Sequence, residues 1–282
     1  MDYHIHPGYS VDARDTSIFE YCREALAKGL AEICFTPHLE VDAVRRHIDW
    51  FVRVEGKIVS MDDGSWLDAY FRDVEKARRE FSPLGLTVRA GLEVGFERGA
   101  EERIAKVLAA YPFDFVLGSI HCLDHCAISS HREYRDYFSR KDLPEVARDY
   151  FGALREAVLS GLFDCIGHLD IYKRYGGEFF GSRIGSLHQG YVEDIFPAMA
   201  RKGTGLEVNT SGRRRGLADF HPSRDLLALA KEAGVRVFTV GSDAHRKEEL
   251  GEGTREAAAL LEEMGLSVST FACRKIVPSG GN

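Results

Sequence analysis

The strongest constraint on the fold of this chain is a repeated order: a short apolar run, then a helical pattern, about seven times over. Strand-like runs occupy 2–6, 32–38, 87–95, 114–121, 164–170, 205–211 and 235–245. Helix-like stretches occupy 16–29, 66–80, 98–110, 142–160, 187–203, 222–234 and 247–264. Continuous apolar runs are expected where a parallel strand is covered on both faces. Alternation of this kind implies a parallel α/β fold, and seven strands in 282 residues favour a closed or nearly closed barrel over an open doubly wound sheet. No GxGxxG follows the first run, so a dinucleotide-binding fold has no support.

The ends of these runs carry the chemistry. The first ends in His4 and His6, the second in His38, and the third reaches Glu93. The fourth ends in His121, the fifth in His168 and Asp170, and the seventh in Asp243 and His245. The sixth, ending Glu207-Val208-Asn209, is the weak case. In a parallel barrel all these ends open onto one face. His4 and His6, two apart on a strand, point to the same side, as do Asp243 and His245. One histidine at a strand end is ordinarily just hydrogen-bonded, but six of the 11 histidines fall at such ends. His47, His125, His131, His188 and His221 read as peripheral. Mixed imidazole and carboxylate donors suit Zn, Mn or Fe, and eight or more ligands exceed what one ion takes. Two or three divalent ions, bridged by Glu93 or Asp243, are therefore expected.

Composition narrows the partners. Hydrophobic content of 44% and charged content of 29% are those of a chain with a full core. Thirty-seven Lys and Arg against 44 Asp and Glu give a net charge of −7, which argues against a dedicated nucleic-acid binder. A small phosphorylated metabolite needs only a locally positive site. No apolar run approaches the ~18 residues that cross a bilayer. The opening MDYHIHPGYS lacks a basic-then-apolar leader pattern, so a cytoplasmic location is expected. Cys22, Cys34, Cys122, Cys126, Cys165 and Cys273 are then expected to be free thiols. Oligomeric state leaves no mark in the sequence, and a homo-oligomer is compatible with it.

Seven motifs in order, one per strand, carry a resemblance: DYHIHPGYSVDA at 2–13, TPH at 36–38, GLEVG at 91–95, GSIH at 118–121, GHLD at 167–170, LEVNTSG at 206–212 and GSDAH at 241–245. The chain resembles the PHP (polymerase and histidinol phosphatase) superfamily, in its monofunctional histidinol-phosphatase branch. The resemblance spans nearly the whole chain and implies one domain over 1–282. It implies a distorted seven-stranded (β/α)7 TIM-like barrel of the PHP type with a trinuclear metal site. His4, His6 and Asp243 match ligands of the first metal, and Glu93 the carboxylate bridging first and second. His121 and His168 match the second metal's remaining ligands, and His38 and His245 match ligands of the third. Many PHP proteins have a histidine six residues after HxH. Here Asp12 stands there, which retains a metal donor but favours harder ions.

The implied activity is phosphomonoester hydrolysis, with L-histidinol phosphate as substrate and metal-activated hydroxide attacking phosphorus. Glu93, Asp243 and His245 are the catalytic candidates. Arg174 and Arg214 are the candidate phosphate contacts, since guanidinium matches phosphate geometry. Arg213 and Arg215 read as solvated loop residues. A lid from 61–70 and a pocket lined by Tyr9 and Ser10 are candidates for the nitrogen-bearing end, without an assigned specificity residue. Three rival readings remain: the same metal chemistry on another phosphate ester or nucleotide, amidohydrolase-type C–N hydrolysis, and a metal-stabilised module without turnover. The amidohydrolase reading would want a bridging lysine where His121 stands. Cys122 and Cys126 lack a second ligand pair for a zinc knuckle and read as packing residues. PSGGN at 278–282 reads as a frayed terminus.

Overall fold

Residues 1–278 are described in a computed structural model of the chain. The last four residues of the glycine-rich tail, 279–282, lie outside the described residues. Seven parallel strands run in sequence order around a barrel: β1 (Asp2–Ile5), β2 (Glu32–Phe35), β3 (Thr87–Gly95), β4 (Phe115–Ser119), β5 (Cys165–Ile166), β6 (Gly205–Asn209) and β7 (Phe238–Gly241). The ring closes thinly. Ile5 bridges in parallel to Ala244, just past β7, and the His6 amide donates to the Ala244 carbonyl at 2.9 Å. A short strand, His38–Glu40, resumes the line of β2 and pairs with the second half of β3, setting His38 opposite Glu93. This thin closure, a two-residue β5 and an irregular β1–β2 register make the barrel a distorted one.

One main helix follows each strand: α1 (Ile18–Ala27), α2 (Ser65–Phe81), α3 (Glu101–Ala110), α4 (Leu143–Ser160), α5 (Val192–Lys202), α6 (Arg224–Glu232) and α7 (Thr254–Glu263). Local sequence explains their ends. Ser17 with Glu20 and Asp142 with Glu145 form capping boxes at α1 and α4, and Gly161 closes α4 in the left-handed conformation. Two helices are shorter than expected. The 187–203 stretch is helical only from Val192, and the 247–264 stretch only from Thr254. Gly251 and Gly253, at φ of 70° and 72°, turn the chain before α7, which helical periodicity alone does not register. Among the described residues no helix is long and apolar enough to cross a membrane.

Strand alternation builds the site. On β4, Phe115 and Leu117 join Tyr3, Cys34, Cys165, Val237 and Phe271 in an apolar cluster. Two and four residues further on, Ser119 and His121 instead contact Glu93. The same face is therefore apolar at its start and polar at the strand's C-terminal end. Phe271 comes from the terminal hairpin Thr270–Ala272/Lys275–Val277, which sequence analysis did not anticipate. The opposite faces of the strands pack on the helices in the main apolar core.

Gly118 allows close packing on that outer face, since a Cβ there would lie 2.4 Å from the Phe163 ring. Gly118→Ala is expected to cost about 1–3 kcal/mol by overpacking. A urea titration should show a lower midpoint at unchanged slope. An unshifted midpoint would mean that Phe163 moves freely.

Candidate metal centre

The side chains singled out at strand ends meet at the C-terminal mouth of the barrel. His4 and His6 of the first strand end, His38, Glu93, His121, His168, Asp243 and His245 form one contiguous cluster. His4 and His6 are fully buried, and Glu93 and His168 nearly so. Donor atoms gather within 4.8 Å of one another in three overlapping groups: His4, His6 and Glu93; His38, Glu93 and His121; and His6, His38 and His245. Asp12, on the loop after β1, reaches the third group. Its Oδ2 lies 3.2 Å from His245 Nε2 and 3.4 Å from His38 Nε2.

Glu93 stands at the centre. Its Oε1 accepts from Ser119 Oγ at 2.6 Å and lies 2.9 Å from His168 Nε2 and 3.2 Å from His121 Nε2. Its Oε2 lies 3.0–3.4 Å from ring nitrogens of His38, His4 and His6, yet has no hydrogen bond. His4 Nε2 and His6 Nε2 face each other at 3.0 Å. Lone pairs converging on shared points, rather than on hydrogen-bond donors, fit divalent cations between them.

The outer ring nitrogens are oriented from behind. His4 Nδ1 lies 2.6 Å from Glu207 Oε1, His121 Nδ1 2.8 Å from Glu40 Oε1, and His245 Nδ1 3.1 Å from the Asp243 carbonyl. Such partners set the tautomer and leave Nε2 as a donor to metal. Ser10 Oγ serves His6 Nδ1 at 3.3 Å and accepts from the His38 amide at 3.2 Å. Gly241 makes room for this layer, because a Cβ there would come within 2.4 Å of both His4 and Glu207. His168 and Asp243 have φ of 24° and 56°, a conformation non-glycine residues adopt at a cost of about 1–3 kcal/mol. Arg53 ties down the Asp12 loop, donating to the carbonyls of Gly8, Ser10, Val11 and Ala13 at 2.8–3.3 Å.

Over the cluster opens a cavity of about 990 Å³. Arg174, Arg214 and Arg215 line it together with His38, Glu93, His121, His168, Asp243 and His245. Arg174 Nη2 lies 3.8 Å from Asp243 Oδ2, and its buried Nε has no partner. Arg214 donates to the carbonyls of Ser242 and Asp243 at 3.0 and 3.1 Å.

Several expectations are corrected. His221 is not peripheral: it is fully buried, with Nδ1 2.6 Å from Asp170 Oδ1. Asp170 lies in that pair, and Lys173 and the Ser223 amide complete its partners, so it faces away from the cluster. His188 is buried as well. Arg213 stacks over Phe220, with its guanidinium 3.9 Å from the ring centre, while Arg215 belongs to the cavity wall. Among the described residues of the 61–70 segment only Met61 lines the cavity, because Ser65 onward is the start of α2. Tyr9 turns away to Asp73, and Ser10 hydrogen-bonds His6 and the His38 amide. All six cysteines are free, and Cys122 is buried in a small hairpin with Cys126. Sequence analysis passed over Glu40, although it sits two residues from His38 on one strand face. Glu207, the weak case, is the partner of His4. A separate trio, Asp42, Glu97 and His125, gathers its atoms equally closely, with His125 exposed.

The buried imidazoles and carboxylates shift one another. Burial pulls the histidines down, but Glu207, Glu93 and Asp243 raise His4 well above the usual imidazole range. Asp12 and Glu93 do the same for His38, and Glu93 and Glu40 push His121 up to about 10. His245 is raised by Asp12 and Asp243. His6 is driven well down by burial and by His245 and His38. Glu93 and Asp243 stay well below the carboxylate range despite burial, held by the surrounding histidines.

The PHP domain family matches residues 2–211. The chain is 33% identical over 279 residues to a probable histidinol-phosphatase of Deinococcus radiodurans, covering 98% of both chains. It is 28% identical over 278 residues to a histidinol-phosphatase of Lactococcus lactis, covering 98% of this chain and 96% of that one. The fold matches a histidinol phosphate phosphatase of Lactococcus lactis, solved with zinc, L-histidinol and phosphate. The TM-score is 0.76 at 24% identity, over 98% of each chain.

Because neighbouring carboxylates raise His4, His38, His121 and His245, cations entering these sites compete with protons. Titrating the ion-free protein calorimetrically with Zn²⁺, in buffers of different ionisation enthalpy, is expected to release more than one proton per chain near pH 7. Apparent affinity should rise by about tenfold per pH unit for each proton displaced. Binding without proton release would contradict the charge arrangement.

Proposed function

Because this chain belongs to the PHP domain family, we propose that it is a metal-dependent histidinol-phosphatase, hydrolysing L-histidinol phosphate to L-histidinol and phosphate. The observation that carries this reading is the cluster of six histidines with Glu93 and Asp243 at the floor of an arginine-walled cavity. The names of relatives aligned over nearly the whole chain support the substrate.

In this reading His4, His6 and Asp243 would hold a first ion, and Glu93 would serve it and a second. His121 and His168 complete the second site, and His38, His245 and Asp12 form the third. Zinc fits the imidazole-rich first two sites, and manganese or iron is compatible with the added carboxylate of Asp12. Bound there, such ions supply Lewis acidity and lower the pKa of water to near neutrality. The protein's own groups do the rest. Glu207 and Glu40 keep His4 and His121 in the tautomer that presents Nε2. Arg174, with its Nε uncommitted beside Asp243, binds a phosphate oxygen and offsets charge that grows as water attacks. Arg214 fixes the backbone that carries Asp243 and lends a second guanidinium to the phosphate. His245 lies beside Asp12 at the more open side of the cluster. No covalent phosphoenzyme is required, because water is the nucleophile.

The net charge of −7 supports a small metabolite rather than nucleic acid as partner. Donors spread from position 4 to 245, with the terminal hairpin packed under the barrel, support reading 1–282 as one domain. Six unpaired thiols support a reducing, cytoplasmic setting.

A phosphate-release assay after Zn²⁺ or Mn²⁺ loading tests the reading. For histidinol phosphate, kcat/KM is expected in the range of ~10⁴–10⁸ M⁻¹s⁻¹, far above nucleoside monophosphates and 4-nitrophenyl phosphate. Weak release from every ester would retain a metallophosphoesterase and discard the named substrate. Glu93→Ala and His121→Ala are each expected to lose bound metal and turnover together. Full metal content and turnover in either variant would refute the ligand assignment.

A further inference from the structure

The cavity wall is electrically lopsided. On one side stand Arg174, Arg214 and Arg215, from the segments after β5 and β6. On the other stand Arg45, Asp49, Arg132 and Glu133 beside Ile48, Phe51 and Met61, from the insertion after β2 and the loop after His121. Of the two arginines on this second side, Arg132 is exposed and Arg45 has its charge already spent within the wall. Arg45 is 3% exposed, and its guanidinium is taken up by Asp49 through Nε, by both oxygens of Glu133 and by the His125 carbonyl. One arginine between two carboxylates leaves a net charge of −1 on the trio.

The excess sits on Asp49. Both Glu133 oxygens are engaged by Arg45, and one also accepts from the Ala127 amide. Asp49 gives only Oδ2 to Arg45, and its side chain is 24% exposed where it lines the cavity. Burial holds its carboxyl above the ordinary range even with Arg45 attached, and Glu40 and Glu133 add to that push. A desolvated carboxylate with surplus negative charge and one open oxygen is a receptor for a cation. Ile48 and Phe51 are partly exposed beside it, and Met61 completes an apolar surface fit for a flat ring.

We propose that Asp49, braced by Arg45 and Glu133, binds the positively charged, nitrogen-bearing end of the substrate while its aromatic ring rests on Ile48, Phe51 and Met61. This rests on the histidinol-phosphatase reading of the same site and makes Asp49 its specificity residue. The two walls match a substrate that is anionic at one end and cationic at the other. A plain phosphate ester uses only the arginine side. Selectivity therefore comes from the insertion after β2, while the metal ligands come from the strand ends.

The test compares L-histidinol phosphate with 4-nitrophenyl phosphate, which has no cationic group, in metal-loaded wild type, Asp49→Asn and Asp49→Glu. In Asp49→Asn the ratio of kcat/KM for the two esters is expected to fall about 10–100-fold, mostly through KM for histidinol phosphate. Asp49→Glu should restore part of it, because the charge returns at a slightly different reach. Calorimetric binding of L-histidinol with inorganic phosphate should weaken in parallel, which separates recognition from turnover. Metal content and thermal midpoint report whether the variant remains folded. An unchanged ratio, or equal losses on both esters, would overturn the assignment. A wild type that does not prefer histidinol phosphate would instead overturn the function on which it rests.

Discussion

Everything at the mouth of this barrel is arranged around one buried carboxylate. Glu93 lies at the end of β3, almost wholly inaccessible, with its oxygens aimed at five histidines and one serine. A lone carboxylate in that position would be prohibitively desolvated. Surrounding imidazoles compensate it, and Glu207, Glu40, Asp12 and Asp243 in turn compensate the imidazoles. The arrangement holds together in two ways: with protons on some of the histidines, or with cations in their place. Metal affinity and protonation are thus one equilibrium, and the fold supplies the charge balance for both.

The barrel's distortion serves the same end. Strand His38–Glu40 pairs with β3 one step beyond β2, which sets His38 level with Glu93 and brings Glu40 within reach of His121. The positive-φ residues His168 and Asp243 turn their side chains inward just where the chain leaves the sheet. Glycine at 241 lets His4 and Glu207 lie against the neighbouring strand. Strain and small residues concentrate at the polar end of the barrel, while Tyr3, Phe115, Leu117 and Phe271 fill the other end without polar demands beyond the Tyr3 hydroxyl.

Above the ligands, the roles divide by origin. Segments after β5 and β6 bring guanidinium groups that suit phosphate. The insertion after β2 brings Asp49 and Arg45, and the loop after β4 brings Glu133 to the same network. Such a division lets the reaction centre stay constant while a loop changes the substrate.

The sequence by itself determined the alternation of strands and helices, the barrel class and the ligand types, because continuous apolar runs and strand-end donors are local patterns. His4, His6, His38, Glu93, His121, His168, Asp243 and His245 were all legible that way, and Asp12 only through the resemblance to the PHP superfamily. The partners of those ligands were not. Glu40, Glu207 and Ser10 act on residues 4 to 203 positions away, and nothing in their neighbourhood separates them from ordinary polar residues. His221 looked peripheral because it follows a loop, yet tertiary packing buries it against Asp170. Asp49 reads as one acidic residue in a charged stretch until Arg45 and Glu133, 88 positions apart, are seen to share one network. Spacing along a strand identifies which side chains reach the centre, but charge balance among buried groups depends on distances that only the closed barrel sets.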